Sequence, residues 1–148
     1  MNYELFMGEA IAEARRAQER GARPVGAVVV VDEAMVARAS DRVDETNDPT
    51  AHAVITALRE AARKLGTTRL SDVTVFATLE PCAMCVGAIL ECDASALVFA
   101  SPCADGAAGS AIQLAQHPAL PRRIQVVSGI RRSEADELYA RQPVTAGA

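Results

Sequence analysis

The chain of 148 residues lacks tryptophan, contains a single lysine and has only 3% aromatic residues. So few aromatic side chains exclude the clustered stacking platform that many single-stranded nucleic-acid binders use. No apolar run approaches the roughly 20 residues of a spanning helix, and the longest, at 26–31, has the length of a strand. Residues 1–10 contain no lysine or arginine, unlike a secretory leader. We therefore predict a cytoplasmic protein that does not enter a membrane.

Basic residues are also fewer than acidic ones. Fifteen lysines and arginines stand against 19 aspartates and glutamates, which gives a formal net charge of −4. Proteins that grip long nucleic acids usually present a net positive surface, because phosphate neutralisation supplies much of the affinity. A nucleic-acid partner is therefore possible but disfavoured.

One globular domain over residues 1–148 is predicted. Half of the residues are hydrophobic and 23% are charged, which is enough for a real core and too apolar for general disorder. No repeat or linker divides the chain, and residues 142–148 have the composition of a frayed, disordered tail.

Helical and strand-like periodicities alternate along the chain after an initial hairpin. Helices are predicted at 3–17, 111–116 and 132–141, the last with Ser133 as its N-cap. Two more are predicted, one that runs from an Asp48 N-cap, with Pro49 in its first turn, to Leu65, and one that begins at Pro81. Strands are predicted at 25–31, 35–39, 73–78, 96–100 and 124–127, a polar loop at 41–49 and a small-residue loop at 106–110. This order predicts an α/β fold, a mixed sheet of about five strands with helices on both faces.

Two cysteines with metal-ligand spacing, Cys82 and Cys85, stand at the predicted start of a helix. Such a pair can ligate one tetrahedral ion, form a redox couple or simply be buried. His52, one of only two histidines, stands near another helix start. Because helix starts that follow strands face the same sheet edge, His52, Cys82 and Cys85 together predict three zinc ligands with an open fourth position, which is the arrangement of a catalytic site.

The segments His52-Ala53-Val54 and Pro81-Cys82-Ala83-Met84-Cys85 resemble the H-x-E…P-C-x-x-C signature of the zinc-dependent nucleobase and nucleoside deaminases. The branch that it resembles contains the TadA-type tRNA adenosine deaminases and the guanine and cytosine deaminases. The resemblance implies a three-layer αβα sandwich, Zn²⁺ held by His52, Cys82 and Cys85, water activated by that zinc for attack on an amine-bearing ring carbon, and a homodimer.

The chain departs from this signature at Val54. The family has a glutamate there that moves protons between the water, the ring and the leaving amine, and valine has no proton to move. We expect a severely impaired deaminase. Three explanations compete: an engineered inactive variant, which we favour, a natural non-catalytic zinc-binding subunit of a deaminase complex, or a different chemistry. Glu80 is not expected to substitute, since a capping role is the simpler interpretation.

The expected substrate is a small heterocyclic base. Where the family commonly has asparagine this chain has Asp41, a pure acceptor suited to a ring edge rich in N–H groups, unless the loop shifts and Asp41 is merely solvated. Asp41 and Ala53 are the predicted substrate-binding residues. Pro102-Cys103 replaces a basic–acidic pair of the tRNA-editing relatives, and the last helix lacks their basic extension. A free amino-pyrimidine, amino-purine or aminotriazine is therefore the first hypothesis, and tRNA adenosine (A-to-I) deamination is the alternative.

Overall fold

The computed structural model describes residues 1–103 and 110–144. The helices are α1 (Tyr3–Glu19), α2 (Val43–Thr46), α3 (Ala53–Leu65), α4 (Ala83–Glu91), α5 (Ser110–Ala115) and α6 (Arg132–Arg141). The strands are β1 (Gly26–Val31), β2 (Ala34–Ser40), β3 (Thr74–Leu79), β4 (Ala96–Ser101) and β5 (Gln125–Ser128). Within these ranges no helix has both the length and the apolar character needed to cross a membrane.

The five strands form one mixed sheet in the order β2-β1-β3-β4-β5. Strand β1 runs antiparallel to β2 and β3, whereas β3, β4 and β5 run parallel. Helices cover both faces, so the predicted α/β class and three-layer arrangement are confirmed. The lengths of the connections explain both arrangements. Antiparallel neighbours can be joined by a short turn, whereas parallel neighbours need a longer crossover connection, usually a helix.

Each face of the sheet carries its own apolar cluster. Helices α1 and α6 pack on one face through side chains that include Phe6, Ile11 and Leu138, against Val28 and Phe76 of the strands. Helices α3 and α4 pack on the other face, where the buried residues of the second cluster are Val25, Val29, Val54, Leu58, Val75, Cys85, Val86, Ile89 and Leu97, among others. Successive residues of a central strand point to opposite faces of the sheet, and both faces are covered, so both sets of side chains are buried.

Helix α3 begins later than the sequence pattern predicts, at Ala53 rather than after Asp48. The Asp48 carboxylate accepts hydrogen bonds from the Thr50 backbone N–H at 2.9 Å and from the Thr50 hydroxyl at 2.7 Å. This local turn uses the side chain that was expected to cap the helix. Helix α6 has the predicted bounds, 132–141, but its N-cap is Arg131, in a left-handed conformation, and not Ser133. The short α2 lies in the predicted polar loop.

The beginning of the predicted frayed tail packs on the domain. Gln142 Nε2 donates to the Ala22 carbonyl at 3.2 Å, and Val144 is buried. Residues 145–148 of that tail, and 106–109 of the predicted small-residue loop, lie outside the described residues.

The ends of β2, β3 and β4 lie at one edge of the sheet, next to the starts of α3 and α4. Because β1 is antiparallel to both neighbours, its first residue, Gly26, lies opposite Ser40 at the carboxyl end of β2 and near the carboxyl end of β3. The parallel β4 ends at the same edge, where the Glu80 N–H donates to the Ser101 carbonyl at 2.8 Å. The amino ends of α3 and α4 follow from these strand ends.

Gly26 permits the close approach of α1 to this edge. A Cβ atom there would lie 2.1 Å from the Ala10 carbonyl oxygen and 2.7 Å from the Ala14 nitrogen, both backbone atoms that cannot move aside alone. We expect Gly26→Ala to lower the free energy of unfolding by about 1–3 kcal/mol, the usual cost of overpacking, in urea denaturation. The matched control is Gly87→Ala in α4, where nothing lies within 4 Å and helix propensity predicts a gain of up to about 1 kcal/mol. Equal effects of the two substitutions would contradict this account of Gly26.

Candidate metal centre

His52 occupies the N-cap of α3. Its carbonyl accepts the first helical hydrogen bond, from Thr56 at 3.0 Å, while its own backbone is extended. The preceding residue is held in place by the Arg42 N–H, which donates to the Ala51 carbonyl at 3.0 Å. These contacts connect the segment after β2 to the segment that carries the imidazole.

Cys82 occupies the equivalent position in α4, again with extended backbone at the N-cap. Its carbonyl accepts from Val86 at 3.0 Å, and Cys85 follows in the first turn, fully buried. The helix start therefore places both sulfurs on the same side, where the positive end of the helix dipole favours thiolate.

The three predicted ligands converge. His52 Nδ1 lies 3.6 Å from Cys82 Sγ and 3.5 Å from Cys85 Sγ, and all three ligand atoms lie within 4.8 Å of one another. A tetrahedral zinc ion with Zn–N near 2.0–2.1 Å and Zn–S near 2.3 Å sets such nitrogen and sulfur atoms about 3.5–3.6 Å apart. The donor set and its spacing therefore suit Zn²⁺, and three protein ligands leave one position for another group.

The two thiols titrate as a pair. A hydrogen bond from the Cys85 thiol lowers the pKa of Cys82 to about 4, opposed by desolvation and assisted by His52. The same hydrogen bond, together with burial, raises the pKa of Cys85 above its ordinary value. The metal-free pair thus holds one proton between two sulfurs, and binding an ion to both sulfurs releases it.

Val54, the residue that the motif resemblance matches to the family's glutamate, is fully buried. It belongs to the same apolar cluster as Cys85 and offers no ionisable group. Glu80 is also fully buried, and its Oε1 accepts from the Cys103 N–H at 3.1 Å. That carboxylate connects the end of β3 to the segment after β4.

Asp41 and Ala53 are both buried at the same sheet edge. Asp41 is 2% exposed, and Arg23 donates to its Oδ1 from Nη2 at 2.9 Å and from Nε at 3.2 Å. The alternative that Asp41 is merely solvated is therefore wrong. Ala53, the first residue of α3, is fully buried beside His52.

Sequence reasoning missed two residues at this edge, Arg23 and Tyr139. The Tyr139 hydroxyl, on α6, donates to Thr78 Oγ1 at 2.8 Å. Burial raises the pKa of Tyr139, opposed by that hydrogen bond and by the charge of Arg23, which also acts on Cys85. Tyr139 was detectable as one of two tyrosines, on the helix face shared with Ala135, whereas nothing local distinguishes Arg23 from the other arginines.

We expect the purified chain to carry about one zinc per chain, measured by mass spectrometry of the metal. His52→Ala and Cys85→Ser each remove one of three ligands and should lower zinc affinity by more than about 10-fold, since even outer-shell changes cost 10- to 100-fold. Cys92→Ser is the matched control, because that thiol is free and lies outside the ligand set. Loss of zinc in the control, or retention in both ligand variants, would contradict the assignment.

Comparison with known proteins agrees with this geometry. Residues 1–101 match the family described as the cytidine and deoxycytidylate deaminase zinc-binding region. The chain is 39% identical over 132 residues to a tRNA-specific adenosine deaminase of Bacillus subtilis (strain 168), covering 88% of this chain and 82% of that protein. It is 40% identical over 108 residues to a guanine deaminase of the same organism, covering 72% and 69%.

Longer relatives and solved structures extend the comparison. The chain is 46% identical over 99 residues (67% of its own length) to the chloroplastic tRNA(adenine(34)) deaminase of Arabidopsis thaliana, but spans only 8% of that protein. A solved structure from a study of A-to-I editing by tRNA:A34 deaminases superposes with a TM-score of 0.85 at 36% identity, covering 90% of this chain and 98% of that one. With its ligand triad at the paired helix starts, the chain belongs to the zinc-binding cytidine and deoxycytidylate deaminase family.

Proposed function

We propose that this chain binds a small, free amino-substituted nucleobase at the His52–Cys82–Cys85 centre and is severely impaired in its hydrolytic deamination. The observation that carries the proposal is the combination of a complete ligand triad with a fully buried valine at position 54. Binding and hydrolysis depend on different residues, so the first can persist without the second.

The ligand residues and their supports have separable roles. A zinc ion at the triad supplies Lewis-acid activation of water or of a ring substituent. The backbones of His52 and Cys82 are fixed by the first turns of α3 and α4, which sets where both side chains leave the chain. The buried apolar residues around Cys85 exclude bulk water from one side of the centre, which strengthens every electrostatic interaction there.

The missing step is proton transfer. Deamination needs a group that takes a proton from water and delivers it to the ring and the leaving amine, and such a positioned group typically contributes about 10²–10⁴ in rate. Val54 supplies none. Glu80 does not replace it, because its carboxylate is buried and already accepts the Cys103 N–H.

A free base suits the surroundings of the centre better than a polynucleotide. The net charge of −4 offers little attraction to phosphates. Near the site, Pro102 and Cys103 carry neither a positive charge nor a sugar-binding polar group. The guanine deaminase among the relatives acts on a free base by its name, at 40% identity.

Transfer RNA is the second candidate substrate. It is supported by the 39% identity to a tRNA-specific adenosine deaminase over 88% of the chain and by the TM-score of 0.85 to the structure from the A34-editing study. Both candidates use the same zinc chemistry and differ in what surrounds the reacting ring.

Restoring the carboxylate tests the role of position 54. We expect Val54→Glu to raise zinc-dependent ammonia release by at least about 100-fold, the lower end of the contribution of a general acid–base group. The assay panel contains cytosine, isocytosine, guanine, adenine and aminotriazines. Val54→Gln is the matched control, since it has the same length without an ionisable group, and thermal unfolding checks that both variants fold. An equal response of the two variants, or none across the panel, argues against the proposal.

Salt dependence separates the two substrates. We expect an anticodon stem-loop to bind the zinc-loaded chain weakly and with little dependence on salt, because binding through several phosphates would lose affinity steeply between about 50 and 200 mM salt. Fluorescence anisotropy at several salt concentrations measures this. Tight binding whose affinity falls steeply with salt concentration would instead favour the tRNA hypothesis. Incubation of the same RNA with the Val54→Glu variant would then show whether its adenosine is deaminated.

A further inference from the structure

The connection from β2 to α3, here called the β2–α3 loop (residues 41–52), ends at the metal ligand His52. Because His52 is the N-cap of α3, its backbone is extended and lies outside the regular helix. The peptide group that joins Ala51 to His52 is therefore oriented from the loop, through the hydrogen bond from the Arg42 N–H to the Ala51 carbonyl at 3.0 Å. Contacts that hold the loop thus also affect where the imidazole lies.

Arg20 binds the beginning of this loop at three points. Arg20 is the C-cap of α1, and its Nη2 donates to Ser40 Oγ at 3.0 Å and to the Asp41 carbonyl at 2.9 Å. Its Nε donates to Glu45 Oε1 at 3.1 Å. One planar guanidinium therefore joins the end of α1 to the end of β2 and to α2. The fixed fork of an arginine permits this geometry, which a lysine ammonium does not reproduce.

Two of the three acceptors belong to buried residues. Ser40 is 1% exposed and Asp41 is 2% exposed, whereas the Arg20 side chain is 29% exposed. An acceptor in a buried residue that loses its donor has little water to replace it. The contacts to Ser40 and Asp41 therefore constrain the start of the loop more strongly than an ion pair between exposed side chains would.

The third contact continues toward the metal ligand. One Glu45 oxygen accepts from Arg20, and the other accepts from Arg42 Nη1 at 2.6 Å. Arg42 is the N-cap of α2, and it is the residue whose N–H holds the Ala51 carbonyl. A series of hydrogen bonds thus leads from Arg20 through Glu45 and Arg42 to the peptide group that precedes the imidazole.

We propose that Arg20 is a positioning residue of the metal centre. From the end of α1 it holds the β2–α3 loop, and with the loop the orientation of His52 toward the two cysteine sulfurs. Its action is indirect, because the acceptors that it binds lie on Ser40, Asp41 and Glu45 and not on a metal ligand. The role concerns the metal alone and does not depend on which substrate binds at the centre.

The test measures zinc affinity by chelator competition, and the visible absorption of the cobalt-substituted chain, at temperatures well below unfolding. We expect Arg20→Gln to lower zinc affinity by about 3- to 10-fold, since losing a direct partner of a ligand costs about 10- to 100-fold. The cobalt spectrum, which reports ligand geometry, should change as well. Arg20→Lys keeps the charge without the fork and should recover only part of the loss.

Arg38→Gln is the matched control. Arg38 also joins α1 to β2 through two charged contacts, from Nε to Glu13 Oε1 at 2.6 Å and from Nη2 to Glu9 Oε2 at 2.9 Å. Both acceptors lie on α1 and not in the β2–α3 loop. The control should therefore leave zinc affinity and the cobalt spectrum unchanged, while thermal unfolding measures the stability that each variant loses.

Unchanged zinc affinity or an unchanged cobalt spectrum in Arg20→Gln, an equal effect of Arg38→Gln, or full recovery by Arg20→Lys would overturn the positioning role. If Arg20→Gln does not fold, Glu45→Gln interrupts the same series of hydrogen bonds at an exposed residue and should also lower zinc affinity. An unchanged affinity in that variant would overturn the proposal. Because the measurement uses the metal without a base, its outcome is separate from that of the proposed nucleobase binding.

Discussion

The site depends on two helix starts that meet at one sheet edge. Strands β3 and β4 are parallel neighbours that end together, and the Glu80–Ser101 backbone hydrogen bond continues their pairing past the last strand residue of β3. Helix α4 therefore starts in a fixed position, and α3 reaches the same edge from β2. Because His52 and Cys82 are both N-cap residues, their side chains emerge where backbone N–H groups are unpaired and where anionic ligands are stabilised.

The electrostatics of this edge balance opposite requirements. The thiol pair must lose its remaining proton to bind a cation through both sulfurs, and the charge of the buried Asp41 must be compensated in a poorly solvated place. Arg23 meets both needs, since its charge acts on Cys85 and its guanidinium binds Asp41. A protein with a net charge of −4 thus pairs a buried carboxylate with an arginine whose positive charge also acts on a metal ligand.

Local patterns predicted most of the framework, and contacts between distant residues explain the rest. The periodicity of α1 and the apolar runs of β1 and β3 come from burial on fixed faces, so they are visible in sequence. The predicted start of α3 was wrong because the Asp48 carboxylate can accept hydrogen bonds either from a helix N-terminus or from Thr50. Only the tertiary context selects Thr50.

The same division applies to the site. His52, Cys82 and Cys85 were predictable because their spacing is part of a motif, whereas the Arg23–Asp41 pair joins residues from a turn and a strand end, with no periodic signal. The homodimer and the cytoplasmic location stay predictions.

Val54 has a consequence for the metal-free protein. A glutamate in this fully buried position would place a carboxylate in a poorly solvated apolar cluster, at a cost of several kcal/mol by the usual penalty for burying a charge. Valine carries no such penalty, so the apo fold gains a continuous apolar layer between α3 and the sheet. We therefore expect the folding of this chain to depend less on bound metal than the folding of a chain with a carboxylate at position 54.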